Sequence, residues 1–243
     1  WDQAGLVSPS EDLVDTSISV AEEEFVQLTS LFSYGKIGRG RVVTRLFTDG
    51  IVAVDYEVTL SPDLPTLPRV GLQVKIPVEF NQVELMGMGP HENYVDRLEA
   101  SSMGLWKSTV DDRYVPYIFP SENGGAEQVR YLALRNKDGT GFLVTPSRNE
   151  KDFHASVSRY SPGEVAGAMH QEDVVSGDPS QIYLHLDHKH MGVGGENSWV
   201  PHVPDQYLVK PDRFRFGFVF SSLKRGQKTV EIAAATCSIA SKI

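Results

Sequence analysis

The sequence predicts an all-β fold, one mostly antiparallel domain built from two large packed sheets, and three observations carry that reading. Side chains alternate with a period of two in the strongest segments. Short β-branched and aromatic runs are broken by Pro and Gly clusters at intervals of roughly 8–15 residues. Helix-forming stretches are scarce, and the alternation of strand and helix that builds a parallel barrel is absent.

Taken in chain order, "SEDLVDT" near residues 9–15 has the length and pattern for a helical turn. "RVVTRLF" and "IVAVDYEVTL" flank Thr48-Asp49-Gly50, and "VRYLALRNKDGTGFLVT" is divided by Lys137-Asp138-Gly139; in each, an Asp-Gly pair supplies the positive φ of a hairpin turn. Further strands are expected at 69–77, 81–86, 154–160, 181–187 and 206–210. "PHENYVDRLEASS" and "SPGEVAGAMHQ" are the other two places for a helical turn. In "RFRFGFVF", Phe214, Phe216, Phe218 and Phe220 share one face and Arg213, Arg215, Gly217 and Val219 the other, the pattern of a half-buried strand. Residues 1–223 read as the β domain and 224–243 as a C-terminal extension, an extra strand or a loosely held tail.

Composition narrows the function. The chain has 243 residues, 40% hydrophobic and 23% charged, with a formal net charge of −9, enough for a substantial core. Its 23 Lys and Arg are scattered, so neither nucleic acid nor an anionic membrane surface is an expected partner. No apolar run is long enough to cross a bilayer. The single cysteine, Cys237, makes no internal disulfide and is compatible with a reducing, cytoplasmic compartment. Trp1 is no translation start, so the chain reads as a processed or excised piece.

Four segments could carry chemistry. "LMGMGPHENY" lacks the glycine spacing that seats a phosphate; Gly87 and Gly89 read as a turn at a strand end, with Pro90 opening a short helix and Glu92 complementing its positive end. Glu92-Asn93, Glu122-Asn123 and Glu196-Asn197 place three carboxylates beside turn residues. A glycosidase needs two carboxylates at a set separation, but turn-fixing acceptors of backbone N–H groups are the plainer role. "HLDHKHMG" gathers His185, Asp187, His188 and His190, the start of a metal site without a closing ligand, or a histidine-rich surface strand. "HMGVGGENSWVPHV" brings Gly192, Gly194 and Gly195 up to Trp199, whose indole could cover the C–H face of a sugar or plug the end of the sandwich.

"GMGPHENYVDR", "YVPYIFPSENG", "SRYS" and "HMGVGGENSWVPHV", in this order and with these gaps, resemble the C-terminal domain of bacterial β-galactosidases of glycoside hydrolase family 2, which also occurs as the small chain of two-chain enzymes. The resemblance runs from about residue 40 to about residue 222. It implies a large antiparallel supersandwich, galactose-mutarotase-like, here lacking its first strands. It also implies that the catalytic glutamates, and most of the Mg and Na sites, lie on a barrel in another domain or chain. This chain then carries no catalytic residue, no metal ligand and no cofactor. Trp199 is the substrate-binding residue that the resemblance transfers, stacking on a galactoside such as lactose. The expected partners are that substrate and the catalytic barrel, in an enzyme oligomeric when complete. The competing readings are a stand-alone aldose epimerase of the mutarotase type, with His190 or His170 working with Glu196, and a carbohydrate-binding module.

Overall fold

The computed structural model describes residues 1–7, 9–21, 24–147, 150–195, 199–200 and 202–240. These residues form two antiparallel sheets. The larger has nine strands, in the order β1 (Asp12–Ala21), β2 (Phe25–Ser33), β3 (Gly38–Phe47), β4 (Val52–Leu60), β13 (Arg213–Leu223), β10 (Gly141–Pro146), β9 (Tyr131–Arg135), β6 (Gln82–Gly89) and β7 (Ser102–Thr109). The smaller has four, in the order β5 (Arg69–Pro77), β12 (Gln181–His190), β11 (Phe153–Ser158) and β8 (Ala126–Val129).

The main core lies where the apolar faces of the two sheets meet. Ile182, Leu184 and Leu186 of β12 and Phe153, Ala155 and Val157 of β11 join Phe214, Phe216 and Phe218 of β13, with Val83, Leu85, Leu132, Leu134 and Val144 from the large sheet. Burying each of the larger side chains stabilises the fold by about 1.5–3 kcal/mol. Strand β13 occupies the middle of the large sheet, paired with β4 and β10. Its alternation holds at the start, where Arg213 and Arg215 are exposed, but Gly217 and Val219 are buried as well. Val219 packs with Ala53, Phe47 and Ile51 on the other face. β13 is therefore half-buried only in its first half.

Both Asp-Gly hairpins form, β3 with β4 and β9 with β10. Gly50 and Gly139 each adopt φ +84°, a conformation that costs a glycine little. The helical turn expected in "SPGEVAGAMHQ" is α1 (Pro162–Gly167), with Ser161 and Glu164 in a reciprocal capping box.

Four expectations are corrected. Residues near 9–15 begin an edge strand and not a helix, because β1 finds a complete partner in β2 and its Thr-Ser-Ile-Ser-Val run suits a pleated surface. "PHENYVDRLEASS" contains no helix: the Gly89–Pro90 peptide is cis and Tyr94 bridges Arg97, so Glu92 has no helix end to complement. Residues 206–210 supply only a 3-10 turn, Asp205–Tyr207, and one bridge between Leu67 and Val209. After Gly226 the chain forms neither a strand nor a loose tail. Thr229–Ala240 is a helix, α2, that lays Ile232 and Ala233 on Tyr131, Ala133, Leu143 and Leu223, as its alanine-rich sequence allows.

One irregularity positions the site. The pairing of β12 with β5 slips between Asp187 and Lys189, a bulge that changes which side chains share a face. Gly71 stands opposite Asp187, where a Cβ would lie 2.6 Å from the Asp187 Cα and 2.4 Å from the Leu186 carbonyl oxygen. Side-chain rotation cannot relieve a clash with backbone. Gly71→Ala is accordingly expected to cost about 1–3 kcal/mol through overpacking, read as a fall in Tm of about 2–4 °C for each kcal/mol; an unchanged Tm would show that the strands part there without cost.

Candidate functional site

The loop-covered face of the small sheet carries an unusual polar cluster. Along β12 the even-numbered Leu184 and Leu186 point into the core, so His185 and Asp187 point the other way. The bulge then brings His190 round beside Asp187. A regular strand would have put His188 and His190 together; here His190 crosses to the Asp187 side while His188 stacks on Phe216, with ring centroids 5.4 Å apart and an interplanar angle of 6°. From β11, His154 stands directly across the ladder from Asp187, and from β5, Arg69 stands across from His190.

Side-chain packing confirms the grouping. The rings of His154 and His190 stack with centroids 4.4 Å apart, and Tyr94, fully buried, covers both at 5.6 and 5.4 Å. His154 Nδ1–H donates to Glu127 Oε1 at 2.8 Å, and His190 Nδ1–H to the Met191 carbonyl at 2.6 Å. Arg69 Nη2 donates to His190 Nε2 at 3.1 Å and pairs with Glu122 Oε2 at 2.6 Å, while its Nη1 lies 3.6 Å from Asp187 Oδ2. Three buried atoms, Arg69 Nη1, His154 Nε2 and Asp187 Oδ2, make no hydrogen bond among the described residues.

Burial dominates the electrostatics of this cluster. It pushes His154, His185 and His190 each down to about 3, with the Arg69 guanidinium adding to the effect on all three. It pushes Asp187 up to about 7 against the pull of Arg69, and Glu127 up to about 7 against Lys189 and the Val95 backbone N–H. The imidazoles are thus neutral; among the described residues the His154 Nε2 lone pair is unclaimed, whereas that of His190 accepts from Arg69. The histidine-rich strand is not the surface strand that composition suggests: His185 lies buried between Ser156 Oγ at 3.3 Å and Gln73 Oε1 at 3.2 Å.

The Glu-Asn pairs divide in role. Glu92 accepts from the Gly124 backbone N–H at 2.7 Å, from Arg97 at 2.6 Å and from the Tyr117 hydroxyl, so it fastens one loop to another. Asn93 is fully buried; its amide oxygen accepts from Glu127 N–H at 2.8 Å, and its own N–H donates to the Gly125 carbonyl at 3.0 Å. Asn123 holds its own turn through Ser121 and Val115. Glu122 is not a turn carboxylate, because it points at Arg69. Gly87 lies within β6 and Gly89 ends it, with a bend following at Pro90, and a Cβ on Gly89 would meet the Trp106 ring at 2.6 Å. Glu196, Asn197, Ser198 and Pro201 lie outside the described residues.

Trp199 is 90% exposed, so it does not plug the sandwich. The glycine loop that leads to it is held by Asp96, whose carboxylate accepts from the backbone N–H groups of Val193 at 3.1 Å and Gly194 at 2.7 Å. A Cβ on Gly192 would lie 2.6 Å from that carboxylate, which is why glycine stands there. Gly194 and Gly195 both take positive φ. His170 is exposed beside the 3-10 turn Gln171–Asp173.

Sequence reasoning missed Arg69, Asp96, Glu127 and His154, which converge only through strand register and loop contact. It also missed a cavity of about 510 Å³ over β3, β4 and β13, lined by Arg41, Arg45 and Arg215 against Asp55, Glu57 and Glu150. Arg45 pairs with Asp55 at 2.6 Å and Arg215 with Glu57 at 3.3 Å, so its charges are largely matched from within.

Comparison with known proteins gives these features a setting. Residues 1–220 match the family described as beta galactosidase small chain, reaching further toward Trp1 than the four motifs do. A β-galactosidase of Vibrio cholerae is 38% identical over 219 residues, covering 89% of this chain and 20% of that protein. The β-galactosidase BgaC of Bifidobacterium adolescentis is 33% identical over 204 residues, covering 82% of this chain and 19% of that protein. A structure from Escherichia coli K12, solved as a candidate aldose 1-epimerase, overlaps 86% of this chain and 68% of its own with a TM-score of 0.42 at 10% identity. The chain spans about a fifth of the length of the β-galactosidases it matches. It belongs to the β-galactosidase small-chain family.

Proposed function

We propose that this chain is the non-catalytic C-terminal domain, or separate small chain, of a β-galactosidase of glycoside hydrolase family 2. In this reading it buttresses a catalytic barrel that hydrolyses terminal β-D-galactosides such as lactose, and Trp199 stacks on the substrate. The observation that carries the reading is the exposed indole of Trp199, presented by a glycine loop that Asp96 holds to the body of the domain. A flat apolar ring held outward costs solvation and repays it only against a ligand or another surface.

Two further features support it. Glu92 has its carboxylate committed to Gly124, Arg97 and Tyr117, and Glu122 is committed to Arg69, whereas a glycosidase pair must reach the glycosidic oxygen and the anomeric carbon. On the edge strand β1, Leu13, Val14, Ile18 and Val20 are all exposed, an apolar row suited to contact with another domain.

Three results follow. In the complete enzyme, Trp199→Ala should raise KM for lactose about 5–30-fold, the equivalent of about 1–2 kcal/mol of stacking, with Tm unchanged; wild-type kinetics would remove the subsite role. Asp96→Ala should raise KM for the same substrate, and the Asp96→Ala/Trp199→Ala double variant should be little worse than Trp199→Ala alone, since both act through one indole; fully additive losses would separate the two residues. The chain on its own should release no galactose from lactose, and measurable release would reject the non-catalytic reading.

A further inference from the structure

The polar face beneath Tyr94 presents ligand atoms that the described hydrogen bonds leave over. Among the described residues His154 Nε2 and Asp187 Oδ2 make no hydrogen bond, although both residues are almost wholly buried. One ligand atom from each of His154, Asp187 and His190 lies within 4.8 Å of the others. Metal-binding histidines are oriented by donating the other ring N–H to a carboxylate or a carbonyl. Both arrangements occur here: His154 Nδ1–H on Glu127 and His190 Nδ1–H on Met191. Each ring therefore directs an unprotonated Nε2 away from its anchor.

We propose that His154, Asp187 and His190 form a structural binding site for a divalent cation of the zinc type. Two imidazoles and a carboxylate select zinc, cobalt or nickel over magnesium or calcium, which take oxygen ligands. Metal–ligand bonds of about 2.0–2.2 Å span ligand atoms up to roughly 4 Å apart, so the site closes with a contraction of ~1 Å. The carboxylates of Asp187, Glu122 and Glu127 surround it, against the guanidinium groups of Arg69 and Arg113. Arg69 is the competitor, because its Nη2 occupies the His190 lone pair. Cation binding displaces that one N–H, and Arg69 keeps its ion pair with Glu122. The closing ligand that the "HLDHKHMG" segment lacks is His154, supplied by the neighbouring strand. An ion there would tie β11 to the bulge of β12.

The test uses the intact protein containing this chain, stripped with a chelator and titrated with Zn²⁺ or Co²⁺ alone. It reads metal content and spectra, so it stands or falls independently of the galactosidase reading. Wild type should bind one more ion per chain than His154→Gln, and with Co²⁺ should show visible absorption that the variant lacks. Glu127→Gln should keep the site with affinity lowered about 10–100-fold. Equal metal content and identical cobalt spectra in wild type and His154→Gln would overturn the proposal. Should His154→Gln fail to fold, imidazole ¹⁵N shifts of the wild type decide: movement of His154 and His190 Nε2 on adding Zn²⁺ supports the site, and static resonances reject it.

Discussion

One extra residue in β12 decides the character of the covered face of the small sheet. Without the slip between Asp187 and Lys189, strict alternation would put His188 and His190 together on the face away from Asp187 and bring Lys189 to its side. With it, Asp187 and His190 share a side, His188 keeps to the aromatic surface of Phe216, and Arg69 on β5 comes opposite His190. Gly71 makes the slip possible, because a side chain there would strike the β12 backbone. Gly125 does the same for the cover: a Cβ on it would lie 2.6 Å from the Tyr94 ring and 2.7 Å from His154 Cε1. Two positions without side chains thus set the depth at which the cluster lies.

Stability alone does not account for such a cluster. Each buried donor or acceptor left without a partner costs about 1–3 kcal/mol, and three of them lie together here. Buried ion pairs seldom outperform well-packed apolar residues of the same volume. The Glu122–Arg69–Asp187 group loses hydration on entering the fold and regains only part of it through the 2.6 Å contact on one side and the 3.6 Å contact on the other. A close-packed leucine or phenylalanine set would serve the sandwich as well, as it does between the two sheets. The polar composition of this face is better explained by what it can bind.

The division between what the sequence disclosed and what it hid follows the range of the interactions. Alternation and Asp-Gly turns are local, so β13 and both hairpins were legible, as were β5, β11 and the capped turn α1. β1 and β2 were not, because Leu13, Val14, Ile18 and Val20 face solvent and blur the apolar-polar pattern. α2 looked like a strand or tail because, among the described side chains, its burial falls on the side of Thr229, Ile232, Ala233 and Thr236. Within the site, His185, Asp187 and His190 were visible as a group. Their burial and their partners His154, Glu127 and Arg69 were not, since those lie 31 or more positions away in the sequence and meet through register. Trp199 was found through family resemblance, and its indole is exposed.

The segment "GPHENYVDR" is best understood as a clasp. Within five residues, Glu92 takes the backbone of Gly124, Asn93 takes that of Gly125 and Glu127, and Asp96 takes that of Val193 and Gly194. Tyr94, between them, covers His154 and His190 and receives the Arg97 guanidinium over its ring at 5.3 Å. The acceptors are short side chains on irregular backbone, so their geometry tolerates little drift before a buried N–H loses its partner. The cover of the polar cluster and the backbone of Val193 and Gly194 are therefore fastened to the same five residues. Residues 92–96 thus join the buried face of the small sheet to the backbone of Val193 and Gly194.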